Sequence, residues 1–281
     1  HHHLVVADGV SIRINQQKIT AQGYQDVLTE KDYEYSKGLF SPLFVNLIRP
    51  GSIRRLPGYS QGLFSVQNEA AALPPLLLSK LVKSGDVLDL CASPGGKSAF
   101  MAEQGGADLK VTAFDLSEHK LIRMKENFKR LGLSIETVVA DATKSLPSYV
   151  DKAAGILLDV PCSGLGLMGR KPDIRLNMDL KGMAELAKLQ RAILNNGSTY
   201  LKRGGYLIYS TCTLNQAENQ DNVLQFLKTH TEFSLMTEPV EELVTLAADI
   251  GIHQLRLDQG MLTVLPGNGL DGFFLAVLKR N

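Results

Sequence analysis

The sequence predicts a Rossmann-like α/β fold built on a parallel, doubly wound sheet, and three observations predict it. Beyond about Tyr59, short apolar runs rich in Val, Ile and Leu alternate with segments of helical length, the pattern of βαβ units. Successive runs stop at a polar or reactive side chain, at Cys91, Asp115, Asp141 and Asp159. Ligands in such sheets bind outside the carboxyl ends of strands. A glycine-containing turn, "CASPGGKS", joins the first of these strands to its helix. With 281 residues, 44% of them hydrophobic, the chain can bury the core of one large or two modest domains.

His1 to His3 read as the remnant of a purification tag. The sequence has no initiator methionine, and residues are expected to be missing before Leu4. Residues 4–59 form the first expected domain, a small α+β module. It has a strand at "VSIRIN", a short helix after Thr20 and a polar stretch containing Tyr and Gly. "RPGSIRRLPGYSQG" carries the Pro and Gly signals of a link. The second domain, 60–281, opens with a helix from Ala70 to Lys83, despite Pro74 and Pro75. "DVLDLC" is a strand ending at Cys91, and a helix starts at Gly96. "KVTAFDL" is a strand to Asp115; Ser117 can cap the next helix and Gly132 ends it. Strands to Asp141 and Asp159 follow. A long helix is expected from about Met178 to Leu201, then the strand "GGYLIYST". One more helix spans Gln216 to Thr229, and "GFFLAVLK" is the last strand.

Composition excludes several classes. No segment approaches the roughly 20 apolar residues of a membrane span, so no membrane partner is expected. Three cysteines without metal-ligand spacing predict free thiols, no metal, and a reduced, cytoplasmic protein. A monomer is expected. The net charge of +1 says little about nucleic acid, but its distribution says more. Asn46 to Arg55, Lys120 to Arg130 and Gly169 to Arg175 are basic clusters. Any one alone can equally be a solvated face; three on a neutral chain favour a polyanionic partner. Arg49, Arg54, Arg55, Arg170 and Lys171 are the candidate residues for that partner.

The glycine turn excludes two cofactors. A P-loop needs G-x-x-x-x-G-K-[ST], and Gly96-Lys97-Ser98 supplies only the tail, because Cys91 stands where the first glycine belongs. The dinucleotide pattern G-x-G-x-x-G is absent too. A turn without a phosphate cradle suits S-adenosylmethionine, whose amino-acid part can approach bare backbone at Gly95 and Gly96. The candidate cofactor residues are Cys91, Ala92, Ser93, Pro94, Gly95, Gly96, Lys97, Asp115, Asp141 and Asp159. Asp115 is placed to hold the ribose hydroxyls and Asp141 to meet the adenine amino group. A strand-end acid can also merely cap the next helix, and Asp115 before Ser117 could do so.

"CASPGGKS", "DVPCSGLG" and "YSTCTLNQAEN" together resemble the RNA cytosine-5 methyltransferases, the family of the bacterial small-subunit ribosomal RNA methyltransferase B and the eukaryotic Nop2/Sun proteins. "GLMGRKPDIR" and "PGNGLDGFFLAVLKR" are most similar to the bacterial branch. The resemblance covers roughly Gly58 to Arg280. Asn68 stands where an acid is common, and the all-helical RNA-binding domain that usually begins the bacterial enzyme has no counterpart here.

The resemblance implies a Rossmann-like S-adenosylmethionine-dependent methyltransferase domain beside an RNA-binding N-terminal module, acting on ribosomal RNA of the small subunit. It also implies the chemistry. Carbon 5 of cytosine is a poor nucleophile until a thiolate adds to carbon 6. Two thiols compete for that role. The Pro-Cys pattern of DNA cytosine-5 methyltransferases would select Cys162, whereas the Thr-Cys turn of the RNA family selects Cys212. Cys212 also precedes a helix starting near Asn215, whose amides could lower its pKa. Cys162 is then the release residue. Asp159 holds the cytosine edge, for which it needs a proton. Lys97 would neutralise the cofactor carboxylate or touch RNA, and the Cys91 thiol would pack. The rival readings are methylation of tRNA or DNA, and a non-catalytic RNA-binding assembly factor.

Overall fold

The computed structural model describes residues 9–106, 108–174 and 179–281. The start of the first expected domain, Arg175 of the third basic cluster and Met178 at the expected helix start lie outside the described residues.

The chain opens with β1 (Gly9–Ile14), α1 (Ala21–Glu30), β2 (Tyr35–Lys37), β3 (Phe44–Ile48) and β4 (Phe64–Val66). The strands form an antiparallel sheet in the order β2-β3-β1-β4. Thr20 caps α1 by accepting from Gly23 N, the bond expected of a threonine before a helix. Tyr24 and Leu28 of α1 pack on Ile12, Ile14, Val45, Leu47 and Phe64. The sheet therefore takes β4 from beyond Tyr59, and the expected division at 59/60 does not mark its edge. The expected link is structured as well: residues Ile53–Arg55 make a 3-10 turn and Leu56 is buried.

The second sheet has nine strands in the order β11-β12-β13-β9-β8-β5-β6-β7, with β10 paired to β13. Its elements are α2 (Glu69–Leu81), β5 (Gly85–Asp89), α3 (Gly96–Gly105), β6 (Leu109–Asp115), α4 (Glu118–Leu131), β7 (Glu136–Val139) and β8 (Ala153–Asp159). Then come α5 (Leu180–Ser198), β9 (Leu201–Thr211), α6 (Gln220–Thr229), β10 (Phe233–Leu235), α7 (Glu238–Asp249), β11 (Leu255–Asp258), β12 (Met261–Val264) and β13 (Phe273–Arg280). Strands β5 to β9 are parallel neighbours, and β10 to β13 run antiparallel.

Alternation in the central strands covers both faces. Val87, Leu157, Ile208 and Val277 share one core with Leu73, Leu77 and Leu78 of α2. Leu88, Ile156, Leu158, Leu207 and Leu278 share the other with Ile193 and Leu194 of α5 and Phe226 of α6. Each such buried aliphatic side chain contributes about 1.5–3 kcal/mol. Among the described residues no helix is long and apolar enough to cross a membrane.

The α/β alternation is as expected, but the antiparallel extension was legible only at β13. The reason is physical: β11 buries one of its four residues and α7 buries only Val240 and Ala247. Such edge elements carry no clear period. The helix expected over Gln216 to Thr229 is also two pieces, a 3-10 turn at Gln216–Glu218 and then α6.

Candidate active site

The sheet order places the site. From β5 the chain runs outward through β6 to β7, then returns to lay β8 on the other side of β5. The carboxyl ends of β5 and β8 thus flank the switch point where ligands of such folds bind. Those two ends are Asp89 and Asp159.

The turn after β5 needs its glycines. Gly95 has φ +96°, and a Cβ there would lie 3.0 Å from the Phe128 ring; no other residue combines that conformation with that packing. The turn brings Lys97, in the first turn of α3, back over the strand ends. Its Nζ lies 2.6 Å from Asp159 Oδ2, and Ser210 at the end of β9 donates to Asp159 Oδ1 at 3.0 Å. Burial pulls the Lys97 ammonium down, but Asp159, with Asp89 behind it, outweighs burial and holds it above its ordinary value.

Both thiols leave neighbouring parallel strands. Asp159 of β8 is in register with Ser210 of β9, so the turns after them meet, and Cys162 Sγ lies 3.2 Å from Cys212 Sγ. The contact separates the two thiols electrostatically. The hydrogen bond from Cys162 lowers Cys212, with help from the Lys97 charge against burial and Asp159. The same bond, together with burial, raises Cys162. The leading cause of the lowered Cys212 is the partner thiol and not the helix amides expected to lower it. Burial drives the Cys91 thiol strongly upward, as befits a packing role.

A cleft of about 380 Å³ opens at Lys97 and Asp159; Cys162 and Cys212 are not among its lining residues. Of the cofactor residues expected, Cys91, Ala92, Ser93, Pro94, Gly96, Lys97 and Asp159 line it. Gly95, Asp115 and Asp141 do not. Asp115 Oδ1 accepts from Ser117 N at 2.9 Å. Asp141 lies two residues past β7 and accepts from the Thr143 amide and hydroxyl, which hold its carboxyl below the usual range. Arg170 and Lys171 line the cleft, and Arg170 Nε pairs with Asp271 Oδ1 at 2.9 Å. Arg49, Arg54 and Arg55 are exposed and lie outside it.

A family model described as 16S rRNA methyltransferase RsmB/F matches residues 76–279. The chain belongs to that family. It is 36% identical over 272 residues to ribosomal RNA small subunit methyltransferase B of Pseudomonas syringae pv. tomato, covering 96% of this chain and 59% of that protein. It is 33% identical over 273 residues to the protein of the same name from Vibrio cholerae, covering 96% and 58%. The chain therefore spans less than two thirds of the length of these relatives. The crystal structure of PH0851 superposes with a TM-score of 0.87 at 29% identity, over 97% of this chain and 60% of that one. A methyltransferase homolog from Pyrococcus horikoshii gives 0.77 at 26% identity, over 96% and 86%. The fold is thus that of Rossmann-like S-adenosylmethionine-dependent methyltransferases, and S-adenosylmethionine is the cofactor of the family.

The residues present fit that cofactor. The turn offers small side chains and bare backbone. Asp89 is 1% exposed and lines the cleft, and its Oδ1 has no protein partner among the described residues. Sequence reasoning in this RsmB/F chain passed over Asp89, although the signal was the one used elsewhere, an acid closing an apolar strand. Lys97 pairs with Asp159, and Asp159 accepts on both oxygens, so the ready donor facing the cleft is Lys97.

Asp89 predicts a pH effect. Burial, opposed by Ser98 (Oγ at 2.6 Å) and Lys97, pushes its carboxyl up to about 7 from 3.8. The folded value lies above the unfolded one. The protonated form therefore costs nothing below about pH 4, and folding is penalised progressively as pH rises to about 7. Asp89→Asn should accordingly match the wild type in urea stability at pH 3.8 and exceed it by roughly 2–4 kcal/mol at pH 8. A difference independent of pH would refute the assignment.

Proposed function

We propose that the chain methylates carbon 5 of a cytosine in RNA, in small-subunit ribosomal RNA, through a covalent adduct between Cys212 and carbon 6 of the base. The observation that carries this reading is the 3.2 Å contact of two thiols beside the Lys97–Asp159 pair. One residue pair is suited to attack and release and the other to hold the base. When bound, S-adenosylmethionine supplies an electrophilic methyl group. Cys212 Sγ forms a bond to carbon 6. Lys97, kept protonated by Asp159, is placed to stabilise the negative charge that attack builds on the pyrimidine ring. After methyl transfer a solvent water takes the carbon-5 proton, the C–H electrons restore the carbon 5–carbon 6 double bond, and the carbon 6–sulfur bond breaks, returning its electron pair to Cys212. A hydrogen bond from Cys162 stabilises that departing thiolate. The target base must be unpaired or flipped out, because carbon 6 is inaccessible inside a stack.

Cleft-lining Arg170 and Lys171, and the exposed Arg49, Arg54 and Arg55, are the RNA contacts in this reading. Asp115 would hold the ribose with the oxygen that Ser117 leaves free, and Asp141 would meet the adenine amino group. Three free thiols suit a cytoplasmic enzyme.

Mass mapping of 5-methylcytosine in ribosomal RNA from cells lacking the protein tests the reading; an unchanged map removes the ribosomal assignment. Asp115→Ala should weaken binding of the demethylated cofactor by about 1.5–3 kcal/mol in calorimetry. Unchanged affinity takes Asp115 out of the site.

A further inference from the structure

Two consecutive side chains at the break before α6 grip both thiol turns. Glu218 and Asn219 are 0% and 1% exposed. In a regular α-helix neighbouring side chains diverge by about 100°. Here the backbone leaves the helical conformation at Asn219, with φ −111° and ψ −101°, and both side chains serve the same pair of turns.

Glu218 holds the Cys162 turn. Its Oε2 accepts from Ser163 N at 2.9 Å and from Gln190 Nε2 at 2.8 Å. Gln190 Nε2 donates in turn to Pro161 O at 2.8 Å. Cys162 is therefore fixed on both flanks by one Glu–Gln pair. Asn219 does the same for Cys212. Thr211 Oγ1 donates to Asn219 Oδ1 at 2.6 Å, and Asn219 Nδ2 donates to Thr213 O at 2.9 Å. A 2.7 Å hydroxyl contact between Ser163 and Thr213 straps the turns together.

Glu218 is a buried carboxylate with no cation in contact among the described residues. Its three donors are the Ser163 amide, Gln190 and Asn215. An apolar residue here would leave the Ser163 amide and Gln190 without their acceptor. We infer that Glu218, with Gln190 and Asn219, is a positioning group that holds Cys162 and Cys212 at thiol–thiol contact. The activity consequence rests on the proposed function; the thiol geometry does not.

The experiment uses the full chain and reads thiol separation directly. Diamide takes two electrons and two protons from a pair of thiols, leaving a disulfide and the reduced hydrazide, and mass spectrometry identifies the Cys162–Cys212 link. In folded Glu218→Ala protein the rate of this pairing should fall at least about tenfold. The kcat for methyl transfer should fall about 100-fold, as expected of a misplaced reacting group, with KM for RNA unchanged. Glu218→Gln keeps an oxygen for Ser163 and Gln190 and should restore both readouts to within about fivefold. A folded Glu218→Ala protein that pairs its thiols at the wild-type rate or faster overturns the inference. If that variant does not fold, Gln190→Met decides, since it removes the donor that ties Glu218 to Pro161 O while keeping side-chain volume. Pairing about fivefold slower is expected, and an unchanged rate overturns the inference. Should the wild type make no 5-methylcytosine, the proposed function fails while the pairing rates still test the clamp.

Discussion

Cys212→Ser is expected to abolish methyl transfer, by at least about four orders of magnitude, and to form no covalent RNA complex. A serine hydroxyl in this position has no base able to ionise it. The hydrogen bond from Cys162 that lowers the Cys212 thiol is too weak to do so for a hydroxyl. Cys162→Ala should differ in kind. Attack and methylation proceed, but the departing sulfur loses the hydrogen bond that stabilises it at 3.2 Å. A denaturing gel with labelled RNA and cofactor should then show a slow-migrating adduct in the Cys162 variant and none in the Cys212 variant. The opposite pattern would assign attack to Cys162. Activity retained in both variants would remove the thiol mechanism altogether.

The second large effect is on stability. Glu103→Ala should cost about 3–5 kcal/mol, a large fraction of the 5–15 kcal/mol that typically holds a domain. Arg13 of β1 forms an ion pair with Glu103 of α3; the two side chains are 0% and 1% exposed. Arg13 also donates to Gln67 Oε1 at 2.7 Å and stacks over the Phe100 ring. Burial is the leading influence on both members: it lowers Arg13 despite Glu103, and it raises Glu103 despite Arg13. Removing one partner strands the other in the interior, whereas an apolar pair of similar volume need not destabilise. Urea unfolding of Glu103→Ala against the double variant Arg13→Met, Glu103→Leu separates these cases. Equal losses in both would mean that packing, and not a stranded charge, sets the cost. The pair joins the N-terminal sheet to the helix that begins at the cofactor turn. The Arg130 guanidinium adds to that joint by donating to Tyr59 O and Phe64 O.

Local chemistry made much of this molecule legible in the sequence. The strands β5, β6, β8 and β9 are apolar runs long enough to be told from turns. Thr20, Ser117 and Gly132 mark helix ends because each completes a hydrogen bond or a left-handed turn within a few residues of itself. The small-residue turn at Cys91–Lys97 excluded a phosphate cradle by spacing alone. The two thiols were singled out by motif, and they lie in contact.

What the tertiary structure alone decided depends on partners distant in sequence. Asp89 and Asp159 flank one cleft only because β8 returns to pair with β5, and no local pattern encodes that return. Lys97 meets Asp159 because a turn and a helix start carry it across the same strand ends. Asp115 and Asp141 do not line the cleft, and each is engaged by the turn that follows it. The thiol contact and the Glu218–Asn219 clamp arise where β8, β9, α5 and the break before α6 converge. Periodicity records which face of an element is buried. Which buried polar groups then satisfy one another is settled only when those elements pack and water is excluded, because an unpaired polar group there costs free energy that only its distant partner can offset.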